Sequence, residues 1–156
     1  MIETIIIILS ICGFLAIGIA LLVNYVKDKK TTIYQDETLT IKYEDLSGKE
    51  VADAQNWVSR LPNFPVLEVY DLLSDIIRIK YSKIESIKLT IKPKVFIKGK
   101  RCKGLSSPTG HYCEIEFGDD EQMTQLFNHE IGHSIMQMNN LPTEYDQHEI
   151  MRRLGF

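Results

Sequence analysis

Apolar and polar positions divide the chain into one unbroken apolar block and a series of short periodic segments. Ile5 to Val26 runs for 22 residues without a charge. At 1.5 Å per residue such a helix is about 33 Å long, enough for a hydrocarbon core of roughly 30 Å. A helix lying on a soluble core would show a polar face, and this stretch shows none. No Lys or Arg precedes it and no small-residue cleavage signal follows, so the pattern predicts an uncleaved anchor in preference to a signal peptide. Lys27, Lys29 and Lys30 follow the block and only Glu3 precedes it, which by the positive-inside rule places the remainder in the cytoplasm. The expected organisation is a single-pass membrane anchor with its basic flank in residues 1–30 and one domain in residues 31–156.

Beyond the lysines the period changes. Thr38–Tyr43 alternates and predicts a strand. Ser47-Gly48-Lys49-Glu50 has the form of a capping box, and Val51, Ala54, Val58 and Leu61 recur behind it at helical spacing, with Trp57 beside them, until Pro62. Val66–Tyr81 supports two readings: Val66–Tyr70 looks extended, while Leu72, Leu73, Ile76 and Ile77 suit a helix or a buried strand. Ile84–Lys98 alternates around Pro93, as two short strands or one bent edge strand, because proline supplies no ladder N–H. Gly99–Gly110 is polar and glycine-rich and predicts a loop, after which His111–Gly118 alternates again as a strand. Asp119 or Asp120 caps a long helix whose apolar positions are Met123, Leu126, Phe127, Ile131, Ile135 and Met138. Leu141-Pro142 breaks the chain, and Thr143 opens a last helix with Asp146 at its third position, ending in Arg152, Arg153 and Gly155. The expected fold class is α+β, a small mixed sheet packed on the long helix and the C-terminal helix.

Charge changes this picture little. The net charge of −3 carries no basic footprint and argues against nucleic acid as a partner. Cys102 and Cys113 stand too far apart for a zinc ribbon and suit two small half-buried side chains. The candidate chemistry lies on the long helix, in His129-Glu130-Ile131-Gly132-His133. Positions i and i+4 share a helical face, so both imidazoles reach one Zn²⁺, and Glu130 falls beside a metal-held water as general base. Asn139 stands where a metzincin would carry its third histidine, six residues on, so a downstream acid is the expected third ligand. Glu144 is eleven residues past His133 across the break, with His148 and Glu149 in reserve; Glu144 and His148 are themselves i and i+4.

The His-Glu-Ile-Gly-His helix taken with Leu141-Pro142-Thr143-Glu144-Tyr145-Asp146 resembles the YugP-type membrane neutral zinc metallopeptidases. Those pair a histidine-motif helix with a later Leu-Pro-x-Glu-Phe-Asp segment. The N-terminal apolar block and His111-Tyr112 also have counterparts there. The resemblance implies a zincin-like domain and a zinc-dependent peptidase, with Glu144 as third ligand to His129 and His133. This chain is shorter than the family between the motifs, with ten residues from His133 to Glu144. Asp146 is the candidate for orienting a ligand histidine through its free ring N–H. His111, Tyr112, Tyr145 and His148 are candidates for stabilising the oxyanion. The strand Tyr112–Phe117 is expected to align an extended peptide. Partners are then a protein or peptide substrate, and the bilayer through Ile5–Val26. The other reading is a membrane-tethered protein whose zinc site is structural and hydrolyses nothing.

Overall fold

The alternating segments pair into a sheet whose two faces differ in chemistry. The computed structural model describes residues 38–77, 84–141 and 144–156, apart from the side chains of Glu144 and Tyr145. Its elements run β1 (Leu39–Tyr43), α1 (Gly48–Val58), α2 (Pro65–Ile76), β2 (Ile87–Lys92), β3 (Val95–Ile97), β4 (Lys100–Cys102), β5 (Gly104–Ser106), β6 (Tyr112–Glu116), α3 (Asp120–Met138) and α4 (Glu144–Leu154). These residues belong to one unit, Ile33–Phe156. The expected membrane helix Ile5–Val26 lies outside the described residues, and among these no helix is long and apolar enough to cross a membrane.

The main sheet has the order β1-β2-β6-β5, with β1, β2 and β6 parallel and β5 antiparallel to β6; β3 and β4 form a separate hairpin. The domain is therefore mixed α and β with a small mixed sheet. Strand alternation sends Leu39, Ile41, Tyr43, Ile87, Leu89, Ile91, Cys113 and Ile115 into one core with the helices. The opposite face carries Lys88, Thr90 and Lys92 on β2 beside Tyr112, Glu114 and Glu116 on β6, in register. Lys92 pairs with Glu114 at 2.6 Å and with Glu44 at 3.1 Å, and Arg101 pairs with Glu116 at 3.1 Å. Burial of Lys92 would lower its pKa, but those carboxylate partners outweigh it and hold the ammonium above its ordinary value.

The local signals behave as their chemistry requires. Ser47 and Glu50 close the reciprocal capping box of α1. Trp57 is buried and donates its Nε1–H to Thr124 Oγ1 at 3.0 Å, with its ring edge-to-face on Phe127. Asp119 caps α3 by accepting from the Gln122 N–H at 2.8 Å. The helix ends in a Schellman motif: Asn140 takes φ 52°, Leu141 N–H reaches Met136 O at 2.9 Å, and Asn140 N–H reaches Gln137 O at 3.1 Å.

Three expectations change. Val66–Tyr70 is helical, because Val66, Val69 and Leu73 share one buried face of α2 behind Pro65 in its first turn. Of the two readings of Ile84–Lys98 the bent edge strand gives way to two short strands: β2 is central and ends at Lys92, β3 begins at Val95, and the proline interrupts no ladder. Gly99–Gly110 is not a loop throughout. It contains β4 and β5, held by pairing with β3 and β6 and not by any propensity of their own. Cys102 and Cys113 are free thiols.

Gly110 controls how β6 leaves the α3 surface. Its φ is +78°, and a Cβ there would overlap the Ser134 carbonyl oxygen and lie 2.8 Å from Met138 Cγ. Gly110→Ala therefore combines left-handed strain with a backbone clash. It is expected to lower unfolding free energy by about 2–3 kcal/mol in chemical denaturation, whereas Gly48→Ala, with nothing within 4 Å of the new Cβ, should change it little.

Candidate metal centre

Helix α3 is buried on several sides, because it packs against the sheet and against α2 and α4. Its sheet-facing residues include Phe127, Ile131 and Ile135. On the side toward α4, Gly132 provides the close approach: a Cβ there would sit 2.7 Å from Met151 Sδ. The glycine inside the histidine motif thus brings the two helices together. It is at this crossing that His129 and His133 of α3 meet His148 of α4.

One ligand nitrogen from each of these three rings lies within 4.8 Å of the other two. His129 Nε2 and His133 Nε2 face each other at 3.2 Å. Two imidazoles on a tetrahedral zinc at about 2.0–2.1 Å would stand roughly 3.3 Å apart, so this pair is already at ligand spacing. His133 Nδ1 is 2.8 Å from Gln147 Oε1, and Gln147 Nε2 donates to Leu141 O at 3.4 Å. With Nδ1 donating to that amide, Nε2 of His133 is left as the lone-pair donor, the tautomer a metal ligand needs. The residues therefore fit a zinc ion, with imidazole as the donor type.

Glu130 is 5% exposed and shares a cleft of about 550 Å³ with the three histidines. Its neighbour across the cleft is β5, where Gly104 occupies a helix-facing position opposite Ile115. A Cβ on Gly104 would overlap Glu130 Oε1 and lie 2.9 Å from its Cδ. Gly104 thus leaves the space that the carboxyl fills. Burial raises the Glu130 carboxyl to about 8. His129 is lowered to about 4, first by burial and then by the neighbouring His133 and His148 rings, against a hydrogen bond to the Phe156 main chain.

The sequence candidates separate into groups. His129, Glu130, His133 and His148 converge on the cleft. The side chains of Glu144 and Tyr145 lie outside what the structure describes, and Glu144 is seen only as the first residue of α4. Asp146 is exposed, and the group at His133 Nδ1 is the adjacent Gln147. His111 is 3.3 Å from Glu85, and Tyr112 donates its hydroxyl to Glu114 on the polar face of the sheet; neither lines the cleft. The expected peptide-aligning strand is also corrected. β6 is paired on both sides, by β2 and β5, so it has no edge to offer, and the strand that ends the sheet beside the cleft is β5.

Three residues escaped the sequence reading. Gln147 was visible only as a polar residue one step before His148. Gly104 carried no signal beyond a glycine in a polar stretch. Gln137 is one turn past His133 and also lines the cleft; its Oε1 is buried with no hydrogen-bond partner among the described residues. Comparison with protein-family models, curated proteins and solved structures finds no match.

The two shifted groups give metal-free protein a defined pH response. Glu130, raised from 4.5 to about 8, holds a proton in the folded state that the unfolded chain has lost, so stability falls as pH rises through that interval. His129, lowered from 6.5 to about 4, works oppositely: its contribution is present above 6.5 and lost as pH falls toward 4. Between about 4.5 and 6.5 the slopes oppose each other, and above 6.5 only Glu130 remains. Metal-free protein is expected to lose about 2 kcal/mol between pH 6.5 and 8 in chelator-treated denaturation series, and Glu130→Gln should remove that loss.

Proposed function

We propose that this chain is a zinc-dependent endopeptidase of zincin-like arrangement, with Glu130 as general base and His129, His133 and His148 as its zinc ligands. The observation that carries the reading is a buried carboxyl beside three converging imidazoles, in a cleft that opens along an edge strand. A structural zinc site closes its fourth position with protein. His129, His133 and His148 supply three imidazoles, the protein-ligand count of a catalytic site that keeps its fourth position for water. The charge pattern around Ile5–Val26 further supports a single-pass anchor with this domain on the cytoplasmic side.

When bound, zinc would polarise a scissile carbonyl and acidify a water at the same centre. The chain's own residues account for the rest. An extended substrate peptide adds to the outer edge of β5 by main-chain hydrogen bonds, running past Gly104 toward His129. Glu130 accepts a proton from the water as its oxygen bonds to the carbonyl carbon. It then delivers that proton to the amide nitrogen as the C–N bond breaks. Gly104 leaves room for this carboxyl beside the substrate strand. Gln147 holds His133 by its far nitrogen.

His148 is favoured here as third ligand because its ring lies with those of His129 and His133, and a chemical argument supports it over Glu144. Three neutral imidazoles leave the ion its full positive charge, and a cation beside Glu130 lowers the carboxyl from about 8 into the range where it can accept a proton at neutral pH. A carboxylate ligand would cancel part of that effect.

Glu130→Gln is expected to retain one zinc per chain, by metal analysis of purified protein, while peptide hydrolysis falls about 10²- to 10⁴-fold. Full activity in that variant would overturn Glu130 as general base, whereas zinc-dependent melting with no hydrolysis by the unaltered chain would leave the structural-zinc reading in its place. His148→Ala should lose zinc at concentrations where Glu144→Ala keeps it; the reverse order would return the ligand role to Glu144.

A further inference from the structure

Lys94 to Lys103 carries five cations and no acid in a chain whose net charge is −3. The segment is the β3–β4 hairpin with its flanks. Lys98 and Gly99 form a two-residue turn with φ of 49° and 79°, both positive as a type I′ turn requires. Val95 is buried and fastens the base, and Arg101 is tied to Glu116. Toward the tip the apolar residues turn outward: Phe96 is 53% exposed and Ile97 51%. Lys94, Lys98, Lys100 and Lys103 are exposed as well, and none of them is in an ion pair among the described residues.

Successive strand residues point to opposite faces, so Phe96 and Ile97 project from the two sides of the ribbon. A protein surface lying flat against the hairpin would cover one of them and leave the other in water. A medium entered from the tip covers both. We propose that the β3–β4 hairpin docks tip-first on an anionic lipid bilayer. Phe96 and Ile97 enter the interface between headgroups and acyl chains, and the four lysines meet the negative headgroup layer. The arrangement is that of an interfacial anchor, an apolar wedge ringed by cations. It is carried by residues separate from Ile5–Val26.

Ile97 and Lys98 also line the cleft that holds His129 and Glu130. A docked hairpin therefore sets one wall of that cleft at the membrane surface. If the peptidase reading holds, the substrates are chain segments lying at or emerging from the bilayer. That consequence rests on the proposed function; the docking itself does not.

The test uses the full chain reconstituted into phosphatidylcholine vesicles with brominated acyl chains, with and without phosphatidylglycerol. Phe96→Trp and Ile97→Trp are prepared separately, against the constant emission of Trp57, which is 3% exposed. Both added tryptophans should be quenched when phosphatidylglycerol is present and should lose that quenching without it. Neutralising Lys94, Lys100 and Lys103 together to Gln should abolish it, since each lysine near an anionic surface shifts the docked-to-undocked ratio about fivefold. Circular dichroism checks that the variants stay folded, and peptide hydrolysis, measured separately, reports on the cleft chemistry. Quenching of only one of the two positions, equal quenching in neutral vesicles, or full access of both to aqueous iodide in anionic vesicles would each overturn the proposal.

Discussion

Keeping the Glu130 carboxyl out of water is the constraint on which the rest of this structure turns. A carboxyl moved from solvent into a buried position costs free energy that grows with pH. The chain meets the cost geometrically. Gly104 removes a side chain from the edge strand where the carboxyl lies, and α3 is capped at both ends so that its middle turn is rigid. A group placed at such expense is ordinarily tuned for proton transfer, and under the proposed function a cation held by the adjoining imidazoles would bring its pKa back down.

The same helix solves a second problem, which is to bring a third imidazole to a pair fixed by helical spacing. Gly132 lets α4 approach until Met151 lies against the α3 backbone. One residue type thereby serves two contacts, since Gly104 admits the carboxyl on the sheet side and Gly132 admits the last helix on the other. Gln147 and His148 then divide the labour on α4. One side chain grips the far nitrogen of His133, and its neighbour turns toward the cluster.

The sheet separates chemistry in another way. Its helix-facing side is apolar, while its opposite side holds two sets of polar contacts, Lys92 and Tyr112 on Glu114 and Arg101 on Glu116. Those acids pair with Arg101 and Lys92, and among the described residues Lys94, Lys98, Lys100 and Lys103 are in no ion pair. An acidic protein thus presents a strongly basic hairpin with Phe96 and Ile97 exposed next to its turn, beside the cleft.

Local features of this fold were legible in the amino-acid order because their causes are local. The capping box Ser47–Glu50, the cap at Asp119, the alternation in β1, β2 and β6, and the placing of His129 and His133 on one helical face each depend on residues a turn or less apart. The features that were not legible depend on distant partners. β4 and β5 are strands only because β3 and β6 lie beside them, and β6 lost its edge to β5, which no period of its own could reveal. The approach of His148 is of the same kind: its ring reaches the α3 histidines only because the two helices come together at Gly132. Spacing along a helix determines which residues can act together. Packing between elements, which buries Glu130 and brings His148 to His129 and His133, decides which of them meet.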